Sequence, residues 1–167
     1  MKTKIRKGCI IIVGIVLNIL GRAIARRLNL PIWFDMIGTF VATFYAGLGG
    51  GIFVGISNNV LSGIYDTTAL VYSATSVIAA VMMHYLVKKD FMNNPLKVVV
   101  ASFWMGILCT VVSTPLNLIF YDGYSGNSWG DTLVDMLRWY DAPIVLAAIA
   151  GEAVVEIVDK QVCVMAT

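Results

Sequence analysis

Long apolar runs, broken by short clusters of charge and glycine, divide this chain into segments of membrane-crossing scale. A bilayer core of ~30 Å is crossed by ~20 apolar residues in a helix. The first run spans about 8–21, with Arg6 and Lys7 before it and Arg22 after it. From Leu30 to Gly63 the chain is interrupted only by Asp35 and the glycines at 47, 49, 50 and 51. One straight helix over that stretch would measure ~50 Å, too long for a single crossing. The pattern therefore predicts a pair, about 31–48 and 51–64, turning at the glycines. A fourth segment covers about 69–87 and stops at Lys88, Lys89 and Asp90; a fifth covers about 95–121, with Pro115 placed to bend it. A polar stretch from Asp122 to Asp141 follows, with a short surface helix expected around 132–140, and then a sixth segment at about 143–158. The prediction is an all-α, polytopic bundle of six transmembrane helices in one integral membrane domain, residues 1–167.

Charge orients such a bundle, because Lys and Arg collect in cytoplasmic loops. Six helices put both ends on one side. That side carries Lys2, Lys4, Arg6, Lys7, Lys88, Lys89, Lys97 and Lys160, and the other carries Arg22, Arg26, Arg27 and Arg138. Eight against four places both termini in the cytoplasm. The basic start followed by an apolar run has the outline of a signal peptide. No small-x-small site followed by soluble sequence comes after it, so it reads as a retained helix.

Composition agrees. Of 167 residues, 59% are AVILMFWYC and 13% are DEKR, and the mean hydropathy is +0.82. A soluble domain carries about 25% charge. A net charge of +2 gives no electrostatic basis for nucleic-acid binding. Cys9, Cys109 and Cys163 show neither zinc spacing nor an even count for disulfides. His84 has no metal-ligating neighbours in sequence and reads as structural. There is no GxxxxGK[ST], HExxH, GxSxG or CxxC, and no paired acids or nucleophile constellation. The expectation is a protein that is not an enzyme, with no cofactor and no metal.

Two features remain. Small residues recur at helical spacing, most clearly Gly14, Asn18, Gly21 and Ala25 on the first helix. In lipid such stripes let backbones approach closely, either within the bundle or against another protein's helices. The second feature is polar groups at membrane depth, which are costly unless satisfied and so point to function. Asp35, Asn58, Asn59, Asp66, Asn117 and Asp141 fall in or just beyond the outer half, among Trp33, Tyr72, Trp139 and other aromatics. Aromatic faces with a few convergent hydrogen-bonding groups hold small planar solutes. Glu156 can pair with Lys160 at i+4. Glu152 suits a helix–helix hydrogen bond and a ligand contact equally.

The segment NLPIWFDMIGTFVATFYAGLGGGIFVGISNNVLSG, residues 29–63, within six apolar segments, resembles the substrate-binding (S) components of energy-coupling factor transporters. The likeness lies in the Leu-Pro entry, the aromatic-acid start of the second helix, Ile37-Gly38-Thr39, the glycine-rich turn, Gly55 and Asn58-Asn59. It implies a binding subunit in a bacterial cytoplasmic membrane that takes a vitamin or related heterocyclic micronutrient from outside. Its implied partners are that solute, the lipid bilayer, and a transmembrane coupling protein with two ABC-type ATPases. On this likeness Trp33, Asp35, Asn58, Asn59, Asp66, Tyr72, Asn117, Trp139 and Glu152 are substrate-binding candidates. Arg26 and Arg27 lie on the implied lid, the loop after the first helix. The family's docking motif is Ala-xxx-Ala on that helix; here Gly14, Asn18, Gly21 and Ala25 stand in its place. The competing classes are a stand-alone carrier or channel, which would transport without ATPases, and a sensory membrane domain, which would need a catalytic extension.

Overall fold

The computed structural model describes residues 2–65 and 67–167. Its described residues form seven α-helices and two short 3₁₀ turns, with no strand. The all-helical class read from the hydropathy pattern is the observed one.

Helix α1, Lys2–Leu28, runs beyond its apolar stretch at both ends, and Arg26 and Arg27 fall in its last turn, where cations suit the helix dipole. Residues 29–36 are then non-helical, with Asn29 and Phe34 in the left-handed region at φ 51° and 59°. Helix α2, Ile37–Ala46, is consequently only ten residues long, shorter than the expected 31–48. The turn to α3, Leu48–Ser62, is made at Gly47 alone, with φ 89°. Gly49 and Gly50, expected to form that turn, lie with Gly51 inside α3. Two of them serve close packing: a Cβ on Gly50 would sit 2.8 Å from Ala46 Cβ, and one on Gly51 would sit 1.8 Å from Thr43 Oγ1 on α2.

A 3₁₀ turn at Thr67–Tyr72 leads into α4, Ser73–Lys88. A second, Phe91–Asn93, precedes α5, Pro95–Phe120. Asn94 caps α5, its side chain accepting from the N–H groups of Leu96 and Lys97 at 3.0 and 3.2 Å, and Pro95 occupies the first turn, where its missing N–H costs nothing. Pro115 lies within α5. Helix α6, Ser128–Trp139, starts earlier than expected because Asn127 caps it and Asp131 gathers the N–H groups of Ser125 and Gly126 at 2.8 and 3.0 Å. Helix α7, Ile144–Met165, continues well past the expected end at 158.

Three helical stretches, Lys4–Leu28, Ala69–Lys88 and Pro95–Phe120, are long and apolar enough to cross a membrane. Helices α2 and α3 are each shorter than the ~20 residues of a full crossing. Helix α7 is long enough, but carries Glu152, Glu156, Asp159 and Lys160 in its middle.

Polarity is distributed in the reverse of a soluble protein. Outward stripes are large and apolar: Ile12, Val16, Leu20 and Ile24 on α1, and Val100, Trp104, Leu108 and Val111 on α5. The interior mixes Phe40, Met83 and Met105 with fully buried Asn18, Thr39, Asp159 and Lys160. Buried ions are otherwise rare and survive only when paired.

Helices meet at glycine. A Cβ on Gly38 would lie 1.8 Å from the Gly14 carbonyl oxygen, and one on Gly21 would lie 1.9 Å from that of Phe34. At the α5–α7 contact, a Cβ on Gly106 would come within 2.6 Å of Ile157 Cα. Asn18 stitches α1 to α2, donating to Thr39 Oγ1 at 2.9 Å and accepting the Gly38 N–H at 2.7 Å. This corrects the docking expectation. Gly14, Asn18, Gly21 and Ala25 are buried within the bundle, and Gly14, Asn18 and Gly21 meet α2 and the segment before it. They are not an outer surface for a partner's helices, because side-chain-free backbone approach is already used inside the molecule.

Candidate functional site

The non-helical segment 29–36 leads from exposed Asn29 to buried Asp35 and Met36, and polar side chains from distant parts of the chain hold its backbone. Trp129 Nε1 donates to the Asn29 carbonyl at 2.7 Å, and the Asn127 amide donates to the carbonyls of Leu30 and Ile32 at 3.2 and 3.5 Å. Asp159 Oδ1 accepts the N–H groups of Trp33 and Phe34 at 3.1 and 2.7 Å. Irregular backbone away from water must find such partners or forfeit its hydrogen bonds. Lys160 Nζ balances the acid, 2.7 Å from Asp159 Oδ2 and 2.5 Å from Glu156 Oε2.

Beside this segment lies a cavity of about 600 Å³, within the size range of small-molecule sites. Helix α1 contributes Arg22 and Arg26, and the segment contributes Trp33 and Asp35. Asn59 and Ser62 come from α3, Tyr72 from the 3₁₀ turn before α4, Thr75 and Ser76 from the start of α4, Asn117 from the end of α5, Tyr121 from just beyond it, and Glu152, Glu156 and Lys160 from α7.

The wall is cross-linked. Arg22 Nη2 pairs with Asp35 Oδ2 at 3.1 Å, while Nη1 donates to Ser62 Oγ. The Tyr72 hydroxyl donates to Asn117 Oδ1 at 2.5 Å, and Asn117 Nδ2 donates to Glu152 Oε2 at 3.0 Å. Asn59 Nδ2 donates to Ser76 Oγ at 2.7 Å. The rings of Tyr72 and Tyr121 stack with centroids 6.2 Å apart. Thr75 Oγ1 and Arg22 Nε are buried on this wall without a hydrogen-bond partner. Outside the cavity, the Tyr124 hydroxyl donates to Asp135 Oδ1 at 2.7 Å, and that carboxylate pushes the phenol above its ordinary value of 10.

No family model, curated protein or solved structure matches this chain.

Of the substrate-binding candidates, Trp33, Asp35, Asn59, Tyr72, Asn117 and Glu152 come together on the cavity wall, and Arg26 of the implied lid reaches it. Three do not belong to that wall. Asn58 is buried off it, Trp139 is 85% exposed at the end of α6, and Arg27 points to the exterior. Each misses for the same reason: sequence depth fixes a level along the bundle, whereas the helix phase fixes the face. Asp66 lies outside the described residues.

Sequence reading counts Arg22 as a loop charge and takes Glu156 and Lys160 only as an i, i+4 pair; that pair forms at 2.5 Å, and all three residues also line the cavity. A signal for Lys160 was present. Glu152, Glu156 and Lys160 recur at i, i+4 and i+8, so they share one face of α7 and are buried together. For Arg22 the signal was weaker: an arginine at the end of an apolar helix snorkels as readily as it pairs.

Proposed function

We propose that this chain is a membrane-embedded binding subunit of the energy-coupling factor type, which captures a small heterocyclic micronutrient from outside the cell. In this reading six segments lie in the bacterial cytoplasmic membrane with both termini inside. Helix α1, the α2–α3 pair, α4, α5 and α7 supply those segments, and the segment 29–36 and α6 border the mouth. A transmembrane coupling protein with two ABC-type ATPases supplies the energy. That partner docks on a face other than the small-residue stripe of α1.

The observation that carries the reading is the cavity itself. A molecule with an apolar exterior encloses about 600 Å³ lined by amides, hydroxyls, acids and stacked tyrosines. Many of those groups bond to one another, as at Arg22–Asp35 and Tyr72–Asn117–Glu152, yet they border an unfilled space, whereas a bundle that only packed against lipid would close over them. Here Thr75 Oγ1 is left without a partner on the wall. Segment 29–63, whose sequence carries the resemblance, forms two sides of that space through Trp33, Asp35, Asn59 and Ser62.

The test is thermal unfolding of the purified protein, without ATP, against a broad library of vitamins and their precursors. A true ligand at a hundredfold excess over its Kd stabilises the fold by ~2.7 kcal/mol. No stabilisation by any member, together with no ATPase co-purifying from the native membrane, overturns the proposal. Transport by the reconstituted protein alone would favour the stand-alone carrier instead.

A further inference from the structure

Six charged side chains line the cavity, Arg22, Arg26 and Lys160 against Asp35, Glu152 and Glu156, and they are unevenly placed between its rim and its interior. Among the described residues, Arg22 is neutralised by Asp35 at 3.1 Å. Lys160 stands between Glu156 on the wall at 2.5 Å and Asp159, which does not line the cavity, at 2.7 Å. Glu152 meets a neutral donor, the Asn117 amide. Helices α3, α4 and α5 contribute uncharged polar groups and aromatic rings to the wall. Arg26 sits at the exposed rim, where water screens it. The interior therefore holds more carboxylate than cation, with Glu152 and Glu156 one helical turn apart on the same wall.

We infer that the cavity is built for a planar nitrogen heterocycle bearing one positive charge, seated with that charge toward Glu152 and Glu156 and its ring along Tyr72 and Tyr121. The inference rests on the binding-subunit reading and specifies its substrate. Carboxylates taken out of water are costly unless a cation meets them, and the protein supplies one ammonium group where two acids converge. Tyrosine faces attract a cation through the ring quadrupole. The buried, unpartnered hydroxyl of Thr75 and the Nε of Arg22, both on the same wall, are independent marks of a polar occupant. A solute carrying a carboxylate or phosphate would meet like charge from α7, and Arg22 is already spoken for by Asp35.

The test measures binding by the purified protein in nanodiscs to charge-matched heterocycles. The simplest set is N1-methylnicotinamide, nicotinamide and nicotinate, one ring system in cationic, neutral and anionic form. Larger single-ring and fused-ring sets are prepared in the same three forms. In sets that bind, the cationic member should bind at least about thirtyfold tighter than the neutral one, the scale of a desolvated charge contact. Glu152→Gln and Glu156→Gln keep shape while removing charge, and each should erase most of that preference, read as the ratio of cation to neutral affinity within the same variant. Unliganded melting of each variant checks its fold, and the wild-type preference stands as a measurement without them. Neutral or anionic members binding as tightly as the cation would overturn the charge inference and leave the binding-subunit reading standing. Absence of binding by every member of every set would remove both.

Discussion

The carboxylate of Asp159 accepts the backbone N–H of Phe34 at 2.7 Å, joining α7 to a segment 125 residues earlier in the chain. Its other oxygen lies 2.7 Å from Lys160 Nζ. One buried side chain thus anchors irregular backbone and half-neutralises a buried cation. Neutral removal breaks both at once. Asp159→Ala should lower stability by ~3–5 kcal/mol, the penalty of leaving a buried charge without its partner. Asp159→Asn keeps one acceptor for the Phe34 N–H and should cost less. Melting of the purified variants in detergent ranks them, and equal melting of Asp159→Ala and wild type would refute the anchor.

The α1–α2 contact makes a second prediction. Gly38→Ala places a methyl group 1.8 Å from the Gly14 carbonyl oxygen, which is backbone and cannot swing away. Separation of the helices should cost at least ~1–3 kcal/mol, the scale of overpacking. Ile12→Ala, on the outward face of α1, should leave the fold unchanged. Comparable melting of the two variants would return the small-residue stripe to the list of free surfaces.

Solute recognition separates wall residues from those merely at the same depth. Asn117→Ala removes the link between Tyr72 and Glu152, and Trp33→Ala removes a cavity wall. Both should weaken binding of whichever library member stabilises the protein, by about tenfold or more for a lost hydrogen bond to a charged group. Trp139→Ala, 85% exposed and off the wall, should bind as wild type. Titration of the three variants against one ligand tests this, and a loss confined to Trp139→Ala would place the site elsewhere.

Sequence periodicity located the helices well because apolar content and length act locally. Helix α5 falls on residues 95–120, almost as the pattern predicts. What periodicity could not show was where a long-range partner overrides local preference. Residues 31–36 read as the start of a helix, but Asp159 and Asn127 take up their backbone groups and make a non-helical path affordable. Gly49 and Gly50 read as part of a turn because glycine permits one, whereas both lie inside α3, and a Cβ on Gly50 would sit 2.8 Å from Ala46 Cβ. The site was legible to the same extent. Trp33, Asn117 and Glu152 were found by chemistry at depth; Arg22 was missed because its acid, Asp35, lies on another element, and Lys160, although paired with Glu156 by spacing, was not placed on the wall because spacing does not show what that face of α7 meets.

The Arg22–Asp35 pair permits a test that separates structure from binding. Their side chains are 17% and 10% exposed, so the pair is largely withdrawn from water while still facing the cavity. Asp35→Asn leaves the guanidinium without its counter-charge, and Arg22→Met leaves the carboxylate alone; each should cost stability by ~3–5 kcal/mol if fully buried, and less in proportion to the remaining water contact. The double variant removes both charges and should recover a large part of the loss, since no isolated ion remains. Binding is expected to follow a different rule. Arg22→Met exposes an additional negative charge to the cavity, so it should tighten a cationic solute relative to its neutral counterpart even as the fold weakens. A double-mutant cycle on melting, run alongside binding of a charge-matched ligand set, reads both quantities from the same four proteins. Additive losses in the melting cycle would show that the two residues do not act as a pair.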